Sequence, residues 1–242
     1  MTATTSPISP AQAVLETRGL AKGFTLHAQN GLRLAVLDGV DFAVAPHECV
    51  VLDGASGAGK STLMRTLYGN YRTDAGRILI RHGAGMIDLA AAPPRLVLEL
   101  RRRTLGYISQ FLRVIPRVPT IDIVAEPLRV LGVPEDAARA RAAALLDRLA
   151  MPRQLWSLPP TTFSGGEQQR VNIARGLVAS HPILLVDEPT ASLDGENRTR
   201  VVSLLREACD AGAAIIAICH DAVARRALAT RFFSLSDREN VA

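Results

Sequence analysis

Short apolar runs alternate along the chain with longer stretches in which apolar residues recur every three or four positions. Apolar runs bounded by Gly, Asp and Pro predict strands, and the wider spacing predicts helices. The predicted strands cover residues 14–20, 32–37, 40–44, 48–52, 77–81, 105–109, 183–186 and 214–219, and the predicted helices cover 61–68, 94–103, 135–150, 168–178 and 196–211. Because strands alternate with helices, we predict an α/β fold with a parallel, three-layer core.

Residues 111–160 differ from the rest of the chain because prolines punctuate their helical stretches. The seven prolines are Pro116, Pro119, Pro127, Pro134, Pro152, Pro159 and Pro160. This density predicts an inserted helical subdomain at about 111–160. Residues 1–12 are rich in Thr, Ser, Pro and Ala, and we predict a disordered tail there, with the domain proper at 13–242.

A glycine-rich segment lies between the strand predicted at 48–52 and the helix predicted at 61–68. It reads Gly-Ala-Ser-Gly-Ala-Gly-Lys-Ser over residues 54–61 and fits the pattern of a phosphate-binding loop. Loop N–H groups and the positive end of the helix converge on one point, where an anion binds. The chain has two lysines against 26 arginines, and the compact ammonium of Lys60 fits between phosphates where a guanidinium does not. We expect Lys60 to bind the β- and γ-phosphates and Ser61 to bind Mg²⁺.

Two acidic residues follow the apolar run at 183–186, which is typical of a central parallel strand. Ligands of α/β proteins bind at the carboxyl ends of such strands. We therefore expect Asp187 to hold Mg²⁺ and Glu188 to polarise an attacking water. An acidic turn before Pro189 is the alternative, and the nearby phosphate-loop pattern disfavours it.

Ser164, Gly165, Gly166 and Glu167 stand at the start of the helix predicted at 168–178. Ser164 and Glu167 have the spacing of a capping box. The two glycines also leave a bare, positively polarised helix end that a phosphate can approach closely. A single nucleotide does not need two phosphate sites from one chain, so we expect this second site to act on a nucleotide held by a second copy.

Charge and cysteine content narrow the possible partners. The net charge is +5 with a pI near 9.6, and the one tight basic cluster is Arg101, Arg102 and Arg103. No aromatic residues interleave with it, so we expect a solvated helix face and no nucleic-acid partner. Three cysteines without metal-binding spacing suit the reducing cytoplasm. Uninterrupted apolar runs are far shorter than the ~20 residues of a membrane helix, so we expect no direct membrane insertion.

Taken in order, the motifs resemble those of the ATP-binding-cassette (ABC) ATPases. They are a Walker A loop at 54–62, a Q-loop glutamine at Gln110, a signature segment at 164–168, a Walker B strand at 183–188, a D-loop at 192–194 and a switch histidine at His220. The resemblance implies a P-loop NTPase core of ABC type, with an antiparallel β subdomain and an inserted helical subdomain. It also implies ATP and Mg²⁺ as cofactors, and a second cassette, a copy or a paralogue, that packs head to tail around two ATP molecules.

The same resemblance assigns roles to individual residues. It implies a catalytic base at Glu188, a γ-phosphate contact at His220, a link to Mg²⁺ and the helical subdomain at Gln110, and adenine stacking at Phe24. The expected nucleotide-binding residues are Phe24, Gly54, Ala55, Ser56, Gly57, Ala58, Gly59, Lys60, Ser61, Thr62, Ser164, Gly165, Gly166 and Glu167. The expected metal site consists of Ser61, Gln110 and Asp187. The expected catalytic residues are Glu188, His220 and Gln110. Two positions depart from the common pattern, Phe163 in place of leucine and Asp53 before the loop, and we expect Asp53 to face away from the phosphates.

Segments that surround and flank the motifs resemble those of the cassette proteins of bacterial phosphonate carbon–phosphorus lyase systems, the PhnL family. They are residues 27–31, 107–117, 162–176 and 187–194. This resemblance implies a soluble ATPase whose partners are C–P lyase subunits. The alternative is the ATP-binding subunit of a membrane transporter of the lipoprotein-release or macrolide-export type. A nucleotide-switched scaffold that does not hydrolyse ATP is a third reading, and Glu188 with His220 argues against it.

Overall fold

The chain folds into two β-sheets with helices packed around them. A computed structural model describes residues 12–26, 31–113 and 116–235. Its strands are β1 (Leu15–Leu26), β2 (Leu32–Val44), β3 (Cys49–Asp53), β4 (Ala75–His82), β5 (Gly85–Asp88), β6 (Leu105–Ile108), β7 (Ile183–Asp187), β8 (Ala214–Ile218) and β9 (Arg231–Ser234). Its α-helices are α1 (Lys60–Leu67), α2 (Pro94–Arg103), α3 (Thr120–Val130), α4 (Glu135–Arg148), α5 (Gly165–Leu177), α6 (Gly195–Asp210) and α7 (Ala222–Leu228). The tail predicted at 1–12 lies outside the described residues except for Gln12.

The first sheet is antiparallel, with strand order β2-β1-β4-β5. The sequence predicted two strands at 32–37 and 40–44, but β2 is one strand that runs through both. Leu20 pairs with Val40 and Lys22 pairs with Leu37, so β2 has one extra residue opposite β1 at this point. Such a bulge, with Gly39 at φ 65°, bends the strand without ending it. The Asp-Gly pair at 38–39 is therefore a bulge and not a turn.

The second sheet is fully parallel, with strand order β6-β7-β8-β3-β9. Every residue of β7 and β8 is buried, as expected for central strands that are covered on both faces. Because the strands are parallel, their carboxyl ends lie along one edge. The loop after β3, Gln110 after β6, Glu188 after β7 and His220 after β8 are all anchored to this edge. The predicted α/β architecture is confirmed.

Helices α3, α4 and α5 pack against one another in the second half of the chain. Their buried residues, such as Val124, Leu146 and Val171, belong to the same apolar cluster as Val186 of β7. The helical region therefore shares a core with the parallel sheet, and the boundaries of a helical subdomain at about 111–160 stay a prediction. Arg102 and Arg103 of the basic cluster are exposed, as predicted for a solvated face, whereas Arg101 is half-buried and donates to the Tyr68 carbonyl at 3.0 Å.

Candidate functional site

The loop after β3 has the backbone geometry that its glycines allow. Gly54, Gly57 and Gly59 have φ angles of 135°, 88° and 93°, a region that disfavours side chains. A Cβ on Gly59 would lie 3.1 Å from the Val36 carbonyl oxygen, so β2 of the antiparallel sheet passes directly against the loop. Helix α1 then begins at Lys60, and its amino-terminal end points its N–H groups at the space that the loop surrounds.

The Lys60 side chain curls back over the loop. Lys60 is only 8% exposed, and its Nζ donates to the carbonyl oxygens of Gly54 at 2.6 Å and Ala55 at 2.7 Å. The ammonium is thus held within the loop by backbone oxygens alone, with no carboxylate partner among the described ion pairs. A cation compensated only by carbonyl dipoles is well suited to exchange them for phosphate oxygens.

The negative charge of Asp53 is compensated by Arg225, a residue far away in the sequence. One carboxylate oxygen accepts the Gly54 N–H at 2.8 Å, and the other lies 2.6 Å from Nη2 of Arg225 on α7. The Arg225 guanidinium and then the Gly54 N–H lower the pKa of the Asp53 carboxyl. Its negative charge is therefore neutralised beside the loop. That it faces away from a bound phosphate stays a prediction.

Asp187 is a buried carboxylate at the end of β7, only 7% exposed. Tyr107 of the neighbouring strand β6 donates its hydroxyl to Asp187 Oδ2 at 3.2 Å. Burial raises the pKa of Asp187, and no cation forms an ion pair with it among the described residues. Burial, and then the charge of Asp187, raises the pKa of Tyr107 to about 12, so its hydroxyl stays protonated and donates.

Glu188 and His220 are brought together from adjacent strands. Glu188 Oε1 lies 3.3 Å from Nε2 of His220, while the Glu188 N–H donates to the Ile218 carbonyl at 2.9 Å. Glu188 adopts a left-handed backbone at φ 49°, which is uncommon for a residue other than glycine. The side chains are 24% and 64% exposed, so both can meet a ligand at the sheet edge.

Gln110 and Asp187 line one cavity of about 500 Å³. Its other lining residues are Arg65, Asn70, Tyr71, Tyr107, Ser109, Phe111 and Arg113. The oxygens of Gln110, Asp187 and Ser61 are the hard ligands that Mg²⁺ prefers. The described residues contain no cluster of three or more His, Cys, Asp or Glu that could hold a metal alone. One buried carboxylate without a cation partner fits Mg²⁺, which is commonly held by one or two carboxylates together with substrate phosphates.

The start of α5 forms the capping box that the sequence predicted. The Ser164 hydroxyl accepts from the Glu167 N–H, and the Glu167 carboxylate accepts from the Ser164 N–H at 2.8 Å. The bond from the Ser164 side chain is the main cause of the lowered pKa of Glu167. No hydrogen bond in the described part of the chain joins Ser164 or Glu167 to the loop at 54–61. Instead, a Cβ on Gly166 would lie 3.0 Å from the Ser192 carbonyl, so this helix start packs against the D-loop segment of its own chain.

Phe24 is half-buried on β1 and meets the Tyr71 ring edge-on at 5.2 Å. Its strand neighbour Gly23 pairs with Ala35 of β2, next to the Val36 that touches Gly59. Phe24 therefore lies close to the phosphate-loop end of the antiparallel sheet. Its role in adenine stacking stays a prediction, and Tyr71 is an aromatic neighbour that the sequence did not single out.

A family model described as "ABC transporter" matches residues 37–191, more than half of the chain. The chain belongs to the ABC transporter family. It is an ATPase that uses ATP with Mg²⁺. The predicted ABC-type fold is confirmed by the likeness to a solved dimer of the ATP-binding cassette MJ0796 bound to ADP and phosphate. That likeness has a TM-score of 0.83 at 25% identity and covers 92% of this chain and 94% of that one.

Relatives among characterised proteins carry transporter names. The chain is 35% identical to the lipoprotein-releasing system ATP-binding protein LolD of Hyphomonas neptunium, over 93% of this chain and 96% of the relative. It is also 35% identical to the macrolide export ATP-binding/permease protein MacB of Sodalis glossinidius, over 88% of this chain. The match spans about a third of MacB, 32% of its length. No helix within the described residues is long and apolar enough to span a membrane. These names support the transporter alternative better than the phosphonate-lyase reading.

Proposed function

We propose that this chain hydrolyses ATP in sites that it shares with a second cassette, and that it thereby drives a partner protein. The proposal rests on the contact between Glu188 and His220 at the carboxyl edge of the parallel sheet, where the phosphate loop also begins. A carboxylate at hydrogen-bonding distance from an imidazole, beside a phosphate loop, has the parts needed to activate a water and to contact a terminal phosphate.

Each residue has a distinct task in this proposal. Lys60 leaves the carbonyls of Gly54 and Ala55 and binds phosphate oxygens, which neutralises charge in a partly dry site. Glu188 takes a proton from the attacking water, and His220 orients the terminal phosphate. Ser61, Gln110 and Asp187 would hold Mg²⁺, which supplies charge stabilisation on the phosphates when bound. Tyr107 fixes the Asp187 carboxylate through its hydroxyl.

The second cassette completes the site. Ser164 and Gly165 are exposed, and the capping box fixes the N–H groups that follow them. Among the described residues, no hydrogen bond joins this surface to the phosphate loop, so a nucleotide on the partner's loop is the ligand that it suits. The similar cassette MJ0796 is dimeric in the solved structure described above. Whether the second cassette is a copy or a paralogue does not alter the chemistry.

We propose a membrane permease of the lipoprotein-release or macrolide-export type as the driven partner. The relatives named LolD and MacB support this choice, and MacB carries ATP-binding and permease functions in its name. A groove of about 400 Å³, lined in part by Arg113 three residues after Gln110, can receive a partner. It is lined by Arg113, Val118, Asp122, Ile123, Glu126, Arg129 and Arg175. Its mixed charges and its two apolar residues, Val118 and Ile123, suit an amphipathic helix from such a permease.

The phosphonate-lyase system is the second candidate partner. Residues 107–117, which lead from Gln110 into the groove, resemble the corresponding segment of the PhnL family. Val114 and Ile115 of this segment, like residues 27–30 of another resembling segment, lie outside the described residues. In this case the groove receives a soluble lyase subunit and the chain works in the cytoplasm without a permease.

Fractionation of the native host separates the two partners. For a permease partner we expect the chain to sediment with membranes and to co-purify, after detergent extraction, with a polytopic protein. We expect growth on a phosphonate as sole phosphorus source to survive Glu188→Gln. For a lyase partner we expect the chain in the high-speed supernatant together with lyase subunits, and the same substitution should stop growth on phosphonate while sparing growth on phosphate. A soluble chain with the second growth pattern would contradict the permease proposal.

A further inference from the structure

Asp53 and Arg225 join two parts of the site that are 172 residues apart in sequence. Asp53 is the last residue of β3, and Arg225 lies on α7, which begins two residues after His220. Their closest atoms, Oδ2 and Nη2, are 2.6 Å apart. The two side chains are 43% and 30% exposed, so water screens the pair and it adds little to stability.

On one side, the pair holds the first peptide of the phosphate loop. Asp53 Oδ1 accepts the Gly54 N–H, and the Gly54 carbonyl accepts Lys60 Nζ at 2.6 Å. Gly54 is tightly packed, because a Cβ at this position would lie 2.9 Å from the Leu235 carbonyl oxygen. A shift of the Asp53 carboxylate is thus transmitted to the peptide that currently holds the Lys60 ammonium.

On the other side, α7 is fixed to the residue that follows His220. Asp221 caps α7 by accepting the Ala224 N–H at 2.8 Å, and its other oxygen lies 3.1 Å from Nη1 of Arg198 on α6. Arg198 also donates to the Leu193 carbonyl at 3.4 Å. Leu193 stands in the D-loop segment, immediately before the residue that caps α6. The contacts therefore run from this segment through α6 and α7 to the phosphate loop.

We infer that two ion pairs, Arg198–Asp221 and Arg225–Asp53, set the position of the phosphate loop relative to His220. The four side chains are positioning residues, since they act through His220, Gly54 and Lys60. The inference rests on the proposed function for its consequence. A second cassette that contacts the segment at 192–194 shifts α6 and α7 and thereby aligns His220 with the phosphate loop. The sequence pattern gave no sign of this role, because Asp53 appeared only as an unexplained acid before a phosphate loop.

Matched charge substitutions test the inference on the full-length chain. Asp53→Asn keeps an acceptor for the Gly54 N–H and removes the ion pair, and Arg225→Gln removes the pair from the other side. We expect each to lower kcat about tenfold while KM for ATP stays within about twofold, because the loop still binds phosphate but His220 is misaligned. The double variant should be no worse than either single one, as two residues of one pair are non-additive. Arg225→Lys should recover activity to within about threefold.

The control is Arg226→Gln, which removes the same charge from an exposed neighbour on the same helix. A second readout, amide hydrogen exchange of the peptides that contain residues 54–61 and 220–228, does not depend on hydrolysis. We expect Asp53→Asn and Arg225→Gln, but not Arg226→Gln, to raise exchange in both peptides about threefold, with thermal unfolding midpoints near that of the wild type. Exchange and kcat equal to those of Arg226→Gln would overturn the inference. A wild-type chain without ATPase activity would instead overturn the proposed function and leave the exchange result to decide this inference.

Discussion

Lys60→Ala is expected to weaken ATP binding at least a hundredfold, about 3 kcal/mol. The substitution removes a charge-assisted contact to two phosphates in a partly buried site, and arginine should not replace it. Lys60→Arg is therefore expected to bind about as poorly, because a planar guanidinium does not fit within a loop whose Gly54 and Ala55 oxygens lie 2.6 and 2.7 Å from the present ammonium. Equilibrium binding of a fluorescent ATP analogue measures both variants.

Arg141→Ala is the matched control for Lys60→Ala, since it removes one exposed cation from α4. We expect its dissociation constant to equal that of the wild type. Circular dichroism at increasing temperature should show that the Lys60 variants are folded at the assay temperature. A folded Lys60→Ala protein with unchanged affinity would show that the loop at 54–61 is not the phosphate site.

Glu188→Gln is expected to spare ATP binding and to lower hydrolysis at least a hundredfold. An amide in place of the carboxylate keeps the size of the side chain but cannot take a proton from water. ATP then persists between two cassettes, so the variant should double in mass by light scattering when ATP and Mg²⁺ are added, provided that its partner is a second copy. Steady-state phosphate release gives the rate.

Asp136→Asn removes one negative charge from an exposed position of α4 and is the control for Glu188→Gln. Its rate of hydrolysis should match the wild type. If Glu188→Gln also hydrolyses ATP at the wild-type rate, Glu188 is not the base and the contact with His220 has another purpose.

Local patterns were sufficient to predict the central elements of the fold. The strands β3 and β7 are apolar runs that each end in Asp, Gly59 immediately precedes α1, and α5 begins at Gly165. The elements β5, α7 and β9, of four to seven residues, were not predicted, because so few positions rarely show a clear period. Helix α3 is longer but was also not predicted as an element, since Pro127 lies inside it. The bulge in β2 was mistaken for a turn, since Asp-Gly occurs in both.

Contacts between distant residues were the part of the site that the sequence could not supply. Tyr107 stands three residues before Gln110, but its bond to Asp187 depends on the parallel register that pairs Tyr107 with Leu185. Arg225 meets Asp53 only because α7 packs beside β3. The signature segment could be predicted as a capped helix start, whereas its packing against Ser192 required the folded chain.

The central claim is that each ATP site is shared between two cassettes, and mixing two inactive variants tests it most directly. Ser164→Arg blocks the helix start and Lys60→Ala disables the phosphate loop, so each homodimer has two damaged sites. Mixed dimers have one site with both lesions and one with neither. If cassettes exchange freely and sites fire independently, mixing should restore about a quarter of the wild-type ATPase rate, since half of the dimers are mixed. No recovery, with mixed dimers demonstrated by differential tags, would contradict a site that spans the interface.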